Sequence, residues 1–356
     1  MIAKKAASAI GPHGAKELPL VGVESYNLEL KDDEGFIGDR ASKGAFYALL
    51  EEARAQVSEV ADDPLGDKPA EEIGKKRLDK LLAEGSPDAA CLIQGAAEEF
   101  AQRLVGVVRR FIRLKAWRDV TRVVVGGGFR ESRVGEMVIG RASIILKSHR
   151  IAIDFVPIRN HPDEAGLIGC IHLAPKWIFS GHDSLVAVDI GGSNFRCGIV
   201  ELAVDKAPDL SRAKVWKSAL WRHADEKPGR TEAIEQLGEM IRGLVSDAEK
   251  EKLRLAPFIG IGCPGLIAAD GSIERGAQNL PGNWESSRFH LPDAISEMIP
   301  SIGDHKTLVL MHNDAVVQGL SEAPFMRDVE QWGVLTIGTG LGNASFKNIA
   351  GEPAPK

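Results

Sequence analysis

Residues able to handle phosphate and sugar are concentrated in the carboxyl-terminal half of the chain. The stretch LVAVDIGGSNFRCGIV, Leu185 to Val200, runs an apolar strand into Asp189, then Gly191-Gly192-Ser193-Asn194, then a second apolar strand. Adjacent glycines remove the Cβ atoms from the tip, so backbone N–H groups can approach a phosphate closely. Asp189 would stand where a carboxylate meets a metal ion through water. Gly-Gly-Ser is equally ordinary hairpin chemistry, and the stretch alone leaves both readings open. LTIGTGLGNASF, Leu335 to Phe346, repeats the arrangement with Thr339, Gly340 and Gly342 in its turn. Two such hairpins facing each other would grip a nucleotide from both sides.

Between the hairpins, a buried-type strand ends at Cys263-Pro264-Gly265 and a polar loop offers Asn279, Asn283 and Glu285 beside Trp284. Amides and carboxylates match sugar hydroxyls, and an aromatic face suits a sugar's C–H surface. The same Asn-Leu-Pro-Gly-Asn run is also plain turn chemistry. TLVLMHNDAVVQGLSE, Thr307 to Glu322, is a strand ending in His312-Asn313-Asp314 and opening a helix. Asp314 is either the helix cap or a base, and the two roles are compatible.

The elements that must position these residues alternate as strands and helices, which is an α/β pattern. Ile234, Leu237, Ile241, Leu244 and Val245 recur at helical spacing, as do Phe100, Leu104, Val107, Val108 and Phe111; both sets read as core-facing stripes. Ser58 to Asp88 is charged, free of aromatics and reads as exposed turns and a solvated helix. With 356 residues, 44% of them hydrophobic, the chain can bury two substantial cores. A net charge of -6 argues against a nucleic-acid partner. The first residues lack a signal-peptide core and no run is long enough to cross a bilayer, so no membrane contact and a cytoplasmic location are the expectation. Cys91, Cys170, Cys197 and Cys263 show no metal-ligand spacing and read as buried thiols; His161, His172, His182, His290 and His312 read as ordinary polar or surface histidines.

DIGGSNFR resembles the first phosphate loop of hexokinases, and CPG, NLPGNW, HND and IGTGLG in that order resemble sugar kinases of the ROK family, over roughly Leu185 to Asn348. The resemblance implies an α/β, two-lobed actin-like ATPase (ribonuclease H-like) fold. VTRVVVGGGFRESRVGEMVIG, Val120 to Gly140, resembles the family's adenosine-binding segment, which puts Gly126, Gly127 and Gly128 against adenosine. FVPIRNHPDEAGLIGCIHLAP, Phe155 to Pro175, resembles its closing segment and last helix. Both normally lie near the carboxyl end, so their early position implies a circularly permuted chain. The lobes implied are 1–160 (larger, adenosine-binding), 161–328 (smaller, with the first hairpin, the sugar loop and Asp314) and 329–356 returning to the larger lobe. Met1 and Lys356 are expected on the same lobe.

What the resemblance implies about function is phosphoryl transfer from ATP to a hexose, with the 6-hydroxyl of glucose as first choice. Asp314 becomes the general base, Asn313 holds a neighbouring hydroxyl, and Gly265, Asn279, Asn283 and Glu285 belong to the sugar site. Asp189 orients Mg2+ through its waters, which suits an ion that keeps much of its hydration. Gly191, Gly192, Ser193 and Asn194 cradle phosphate with Thr339, Gly340 and Gly342, and Arg196 adds charge. Many ROK kinases carry a Glu-x-Gly-His element and a Cys-rich zinc site; this chain has neither pattern, so no zinc is expected, and Glu17 or Glu24 could supply a substitute carboxylate. A homodimer is expected by family analogy alone. The alternatives are an actin-like-fold hydrolase of ATP or polyphosphate and a catalytically silent sugar-binding protein. Polyphosphate in place of ATP as donor is a further alternative.

Overall fold

The computed structural model of the protein describes residues 10–349. The strands of its two larger sheets are β1 (Val21–Tyr26), β2 (Arg122–Gly126), β3 (Asp154–Pro157), β4 (Ser184–Ile190), β5 (Phe195–Glu201), β6 (Lys214–Trp221), β7 (Leu255–Cys263), β8 (Leu308–Asn313), β9 (Gln331–Ile337) and β10 (Leu341–Asn348). The helices that matter here are α1 (Lys43–Ser58), α2 (Lys75–Glu84), α3 (Pro87–Phe111), α4 (Arg133–Ser148), α5 (Pro162–Gly169), α6 (His223–Glu226), α7 (Arg230–Lys250), α8 (Leu291–Met298) and α9 (Asp314–Leu320). The chain divides into two compact units. One takes Asp163–Glu330 with the described parts of Met1–Asn27 and Ala344–Lys356; the other takes Leu28–Pro162 and Gln331–Asn343. The sequence reading grouped the first residues with the segment up to 160. They fall instead with Asp163–Glu330, and β1 pairs antiparallel with the carboxyl-terminal residues Ala344 to Asn348 of β10. The expectation for Met1 and Lys356 lies outside the described residues.

In the unit built on Leu28–Pro162, β2 runs parallel to both β9 and β3. Three of its helices begin where a serine side chain accepts a first-turn amide: Ser42 for α1, Ser86 for α3 and Ser132 for α4. Each such cap contributes roughly 1 kcal/mol by satisfying a donor that the helix cannot. The expected stripe Phe100, Leu104, Val107, Val108 and Phe111 is buried, and Phe100 meets Phe46 and Phe129 in an aromatic cluster. The charged stretch after Ser58 is more tightly packed than its composition suggests. Leu65, Ala70, Ile73, Leu78 and Leu81 are buried, and the buried Arg54 side chain holds Asp63 and the carbonyl of Gly66. Sparse apolar residues suffice there because one buried guanidinium ties the loop down.

The other unit holds the order β6-β5-β4-β7-β8, with β4, β7 and β8 parallel and β5 and β6 antiparallel. Every residue of β4 is buried, as a strand covered on both faces requires. Ile234, Leu237, Ile241 and Leu244 of α7 bury against this sheet's core, with Val245 packed at its margin. The parallel strands β4, β7 and β8 therefore end side by side, with Asp189 opposite Gly262 and Asn313 opposite Cys263. Carboxyl ends of adjacent parallel strands are where open α/β sheets gather their ligand-binding groups. No helix among the described residues is long and apolar enough to cross a membrane.

Candidate active site

Asp189 is the next-to-last residue of β4 and almost wholly buried. Burial pushes its carboxyl pKa up, while Arg196 pulls it down. Arg196 faces Asp189 across the β4–β5 ladder, with 3.7 Å between a guanidinium nitrogen and the carboxylate, and its other terminal nitrogen pairs with Asp163. The guanidinium thus bridges carboxylates in this structure, a partner set that its sequence position did not suggest. Behind Asp189 lies α5: a Cβ added at Gly166 would come within 2.6 Å of the Asp189 carboxyl carbon.

Asp314 opens α9 and keeps a partly accessible surface. Its pKa is raised to about 7, first by burial and then by repulsion from Asp189. The helix cap is Asn313, not Asp314: the Asn313 Oδ1 accepts the amides of Ala315 and Val316, and its Nδ2 donates to Gly265 O at 3.0 Å. The Asp314 carboxylate is itself approached by the Ala315 amide and the Asn313 side chain, which lower its pKa against the larger effect of burial. Gly265 sits at φ 101, and a Cβ there would approach Arg275 O to 2.5 Å, so the tight turn that receives Asn313 requires glycine. His312, read from the sequence as an ordinary polar or surface histidine, is buried. Its Nδ1 accepts the Asn313 amide and its Nε2 donates to Ala15 O, and burial lowers its pKa to about 4. His172 is likewise buried and shifted down to about 3.

The first hairpin turn is closed by Gly191 N–H donating to Asn194 O at 2.9 Å. Gly192 abuts Asn279, whose Cβ would lie 2.9 Å from an added methyl, so the sugar-loop residue Asn279 packs on the phosphate-type turn. Ser193 lies in the same turn. Asn283 and Glu285 are exposed and locally engaged: Asn283 Oδ1 accepts the Glu285 amide, and Glu285 accepts the Ala277 amide. Trp284 corrects the expectation of an aromatic face for sugar. It is 1% exposed, packs edge-on against Phe195 and Phe289, and donates its indole N–H to Pro281 O. Glu17 and Glu24 line a cavity of about 330 Å³ whose wall includes Met311 and His312.

In the unit built on Leu28–Pro162, the adenosine-type turn and the second hairpin meet. Gly127 sits at φ 85, and a Cβ there would lie 2.4 Å from Ile337 O, just before Gly338-Thr339-Gly340. Gly338 O is held by the Lys43 amide at 2.9 Å. Gly126 ends β2 and Gly128 begins the short turn leading to α4, while Gly342 lies in β10.

The thiols are not all alike. Cys170, Cys197 and Cys263 are buried, and burial pushes all three above the ordinary thiol range, but Cys91 is exposed. Cys91 falls between Ala89 and Ile93 on α3, off the stripe that those residues bury. A thiol reagent is therefore expected to titrate one of the four cysteines in the native protein and all four after denaturation. Rapid labelling of more than one before unfolding would contradict this burial pattern.

The sequence reading missed Asp163, Gly166 and His223. Asp163 pairs with Arg196, Gly166 abuts the Asp189 carboxyl, and His223 contacts the first hairpin turn by donating from Nε2 toward Gly191 O at 3.0 Å. The Gly166-x-x-Gly169 spacing was the available signal for α5's close approach; nothing local marked His223.

No protein-family model matches the chain. A glucokinase from Thermotoga maritima is 31% identical over 160 residues, covering 44% of this chain and 43% of that enzyme. The chain thus matches less than half the length of this curated relative. Among solved structures, a ROK-family glucokinase from Streptomyces griseus in complex with glucose and AMPPNP is 18% identical, covering 48% of this chain and 47% of that one at a TM-score of 0.35. A provisionally assigned N-acetylmannosamine kinase from Listeria monocytogenes is 22% identical, covering 48% and 50% at a TM-score of 0.32. Over the matched stretch this chain is similar to a glucokinase, and its architecture is mixed α/β.

Proposed function

We propose that the protein is an ATP-dependent sugar kinase that phosphorylates a hexose hydroxyl, with the 6-hydroxyl of glucose as the first substrate to test. The observation that carries this reading is Asp314. It is a partly accessible carboxylate at the carboxyl end of parallel strands, near enough to Asp189 to feel its charge, with a pKa raised to about 7. A base poised there can take the sugar hydroxyl proton as the new O–P bond forms and the bond to the ADP leaving group breaks. The buried Asn313 amide donates to Gly265 O and also bonds the Asp314 carboxylate, which suits it to hold the base in place. Asn279, packed on Gly192, is suited to link the sugar loop to the phosphate turn.

Asp189 and Asp314 also fit a divalent cation, since they are oxygen donors whose mutual repulsion raises the pKa of Asp314. Bound Mg2+ would supply neutralisation of phosphate charge, with Asp189 holding it through water. Arg196 and Asp163 keep the Asp189 carboxylate in place. In the other unit, Gly127 and the Gly338–Gly340 turn form the close-packed backbone surface suited to the nucleotide. Support for a circularly permuted chain comes from strand order. The sheet of β4 to β8 reads third-second-first-fourth-fifth along the chain, and the order β1-β10-β9-β2-β3 reads the same only when β1 is counted after β10. A cytoplasmic location belongs to the same proposal.

ADP release from Mg-ATP across a panel of hexoses and amino sugars tests the activity. A sugar-dependent signal is the expected result; sugar-independent hydrolysis would replace the kinase with the hydrolase alternative. The pH dependence follows from Asp314, because only its ionised form accepts a proton. Turnover is therefore expected to rise with pH through about 7 and level off above it. A flat profile between pH 5.5 and 8.5 in the chemical step would remove Asp314 from the role of base.

A further inference from the structure

We propose that His223 is a positioning residue of the first hairpin turn, whose grip on the Gly191 carbonyl aims backbone amides of that turn at the phosphates of a bound nucleotide. This rests on the kinase reading above and goes beyond it by assigning a residue outside the hairpin. His223 is 3% exposed, and its Nε2 lies 3.0 Å from Gly191 O. Since that oxygen only accepts, Nε2 carries the hydrogen. The next residue adds a second grip, with the Ala224 amide donating to Ser193 O at 3.3 Å.

The consequence comes from peptide geometry. In a planar trans peptide the C=O and the following N–H point in opposite directions, and the described chain contains no cis bond. With the Gly191 and Ser193 carbonyls drawn toward α6, the amides of Gly192 and Asn194 are turned to the opposite side. Amides aligned in this way form an anion-binding concavity, and their alignment costs nothing further when the ligand arrives. The imidazole itself is fixed by its neighbours: its ring centroid lies 4.6 Å from that of Phe195 and 6.0 Å from that of Trp221.

His223→Phe and His223→Gln separate the donor from the packing. Phenylalanine keeps a ring against Phe195 but cannot donate; glutamine offers a donor near the Nε2 position without the ring. Calorimetric titration with Mg-ADP, titration with glucose and thermal melting are measured on both variants and the parent. The expected result is that His223→Phe weakens Mg-ADP binding about tenfold, as for loss of one buried hydrogen bond, while glucose affinity and melting temperature stay near the parent's. His223→Gln is expected to restore most of the Mg-ADP affinity. Parental Mg-ADP affinity in His223→Phe would overturn the proposal, and so would equal loss of both ligands together with lowered melting, which is the mark of a merely structural role. If His223→Phe does not fold, His223→Gln decides: parental nucleotide affinity supports the donor role and a tenfold loss overturns it. A parent protein that binds glucose but not Mg-ADP would overturn the kinase reading itself, and this proposal with it.

Discussion

On the proposed kinase reading, Asp314→Asn is expected to lower sugar phosphorylation by at least about a hundredfold and, above pH 7, to raise the melting temperature. The loss of activity follows from removing the base: an amide cannot take the hydroxyl proton, and a positioned base contributes on the order of 10²- to 10⁴-fold. The stability gain follows from the raised pKa. Burial and the Asp189 charge disfavour the ionised Asp314, so the folded state holds its proton up to about pH 7, whereas the unfolded chain releases it near the ordinary carboxylate value of 3.8. The folded state therefore binds more protons throughout that interval, and stability from this group declines as pH rises from about 4 to 7 and then stays flat. Asparagine never ionises and escapes that decline. Calorimetry at pH 4.5, 6 and 8 should show the variant's advantage growing with pH, while ADP release at pH 8 drops by at least about a hundredfold. Because Asp189 and Asp314 interact, the transition belongs to the pair, and removing one carboxylate also relieves the other. A melting difference independent of pH would mean that Asp314 is not the group carrying this penalty.

How much of the site was legible in the sequence depends on the range of the contact involved. Asp189 and the Gly191–Asn194 turn were legible because strand, turn and return strand are one local pattern that needs no distant partner to be read. Gly127 was legible for a similar reason, although its requirement for glycine comes from both its positive φ and the approach of Ile337. The choice between Asn313 and Asp314 as helix cap was not legible, since both residue types cap well and only the turn at Gly265 decides which side chain is turned inward. Trp284 misled because an aromatic within a polar loop has the composition of a ligand face; its burial is set by Phe195, some ninety positions earlier in the chain, and by Phe289. Asp163 and His223 were hidden by separation: their partners Arg196 and Gly191 lie 33 and 32 residues away, and no periodicity links them. The close packing of α5 left a trace only as two glycines four positions apart, counted inclusively, whose meaning depends on what faces each one.

Those two glycines give a paired expectation in which one substitution damages the chemistry and the other the fold. At Gly166, a methyl would stand 2.6, 2.7 and 2.9 Å from the carbon and the two oxygens of the Asp189 carboxyl. What must give way is the end of a side chain, so the carboxylate can rotate while the backbone stays. Alanine is also the better helix former by about 1 kcal/mol, which offsets part of the strain. Gly166→Ala is therefore expected to fold with near-parental melting but to lose about a hundredfold in turnover, the scale of loss when a positioning group moves by roughly 1 Å. At Gly169, the methyl would stand 1.7 Å from Val317 O and 2.7 Å from its carbonyl carbon. Both atoms are backbone within α9, the helix that Asp314 opens, so no rotamer change relieves the overlap and α5 must separate from α9. Overpacking of this kind costs about 3 kcal/mol or more, a large part of the total stability of an ordinary domain. Gly169→Ala is expected to give a strongly lowered melting temperature or insoluble protein. Circular-dichroism melting and steady-state turnover of the two variants check the pair: full turnover in Gly166→Ala would show that phosphoryl transfer does not depend on where the Asp189 carboxylate sits, and parental melting in Gly169→Ala would show that the α5–α9 contact is looser than 1.7 Å implies.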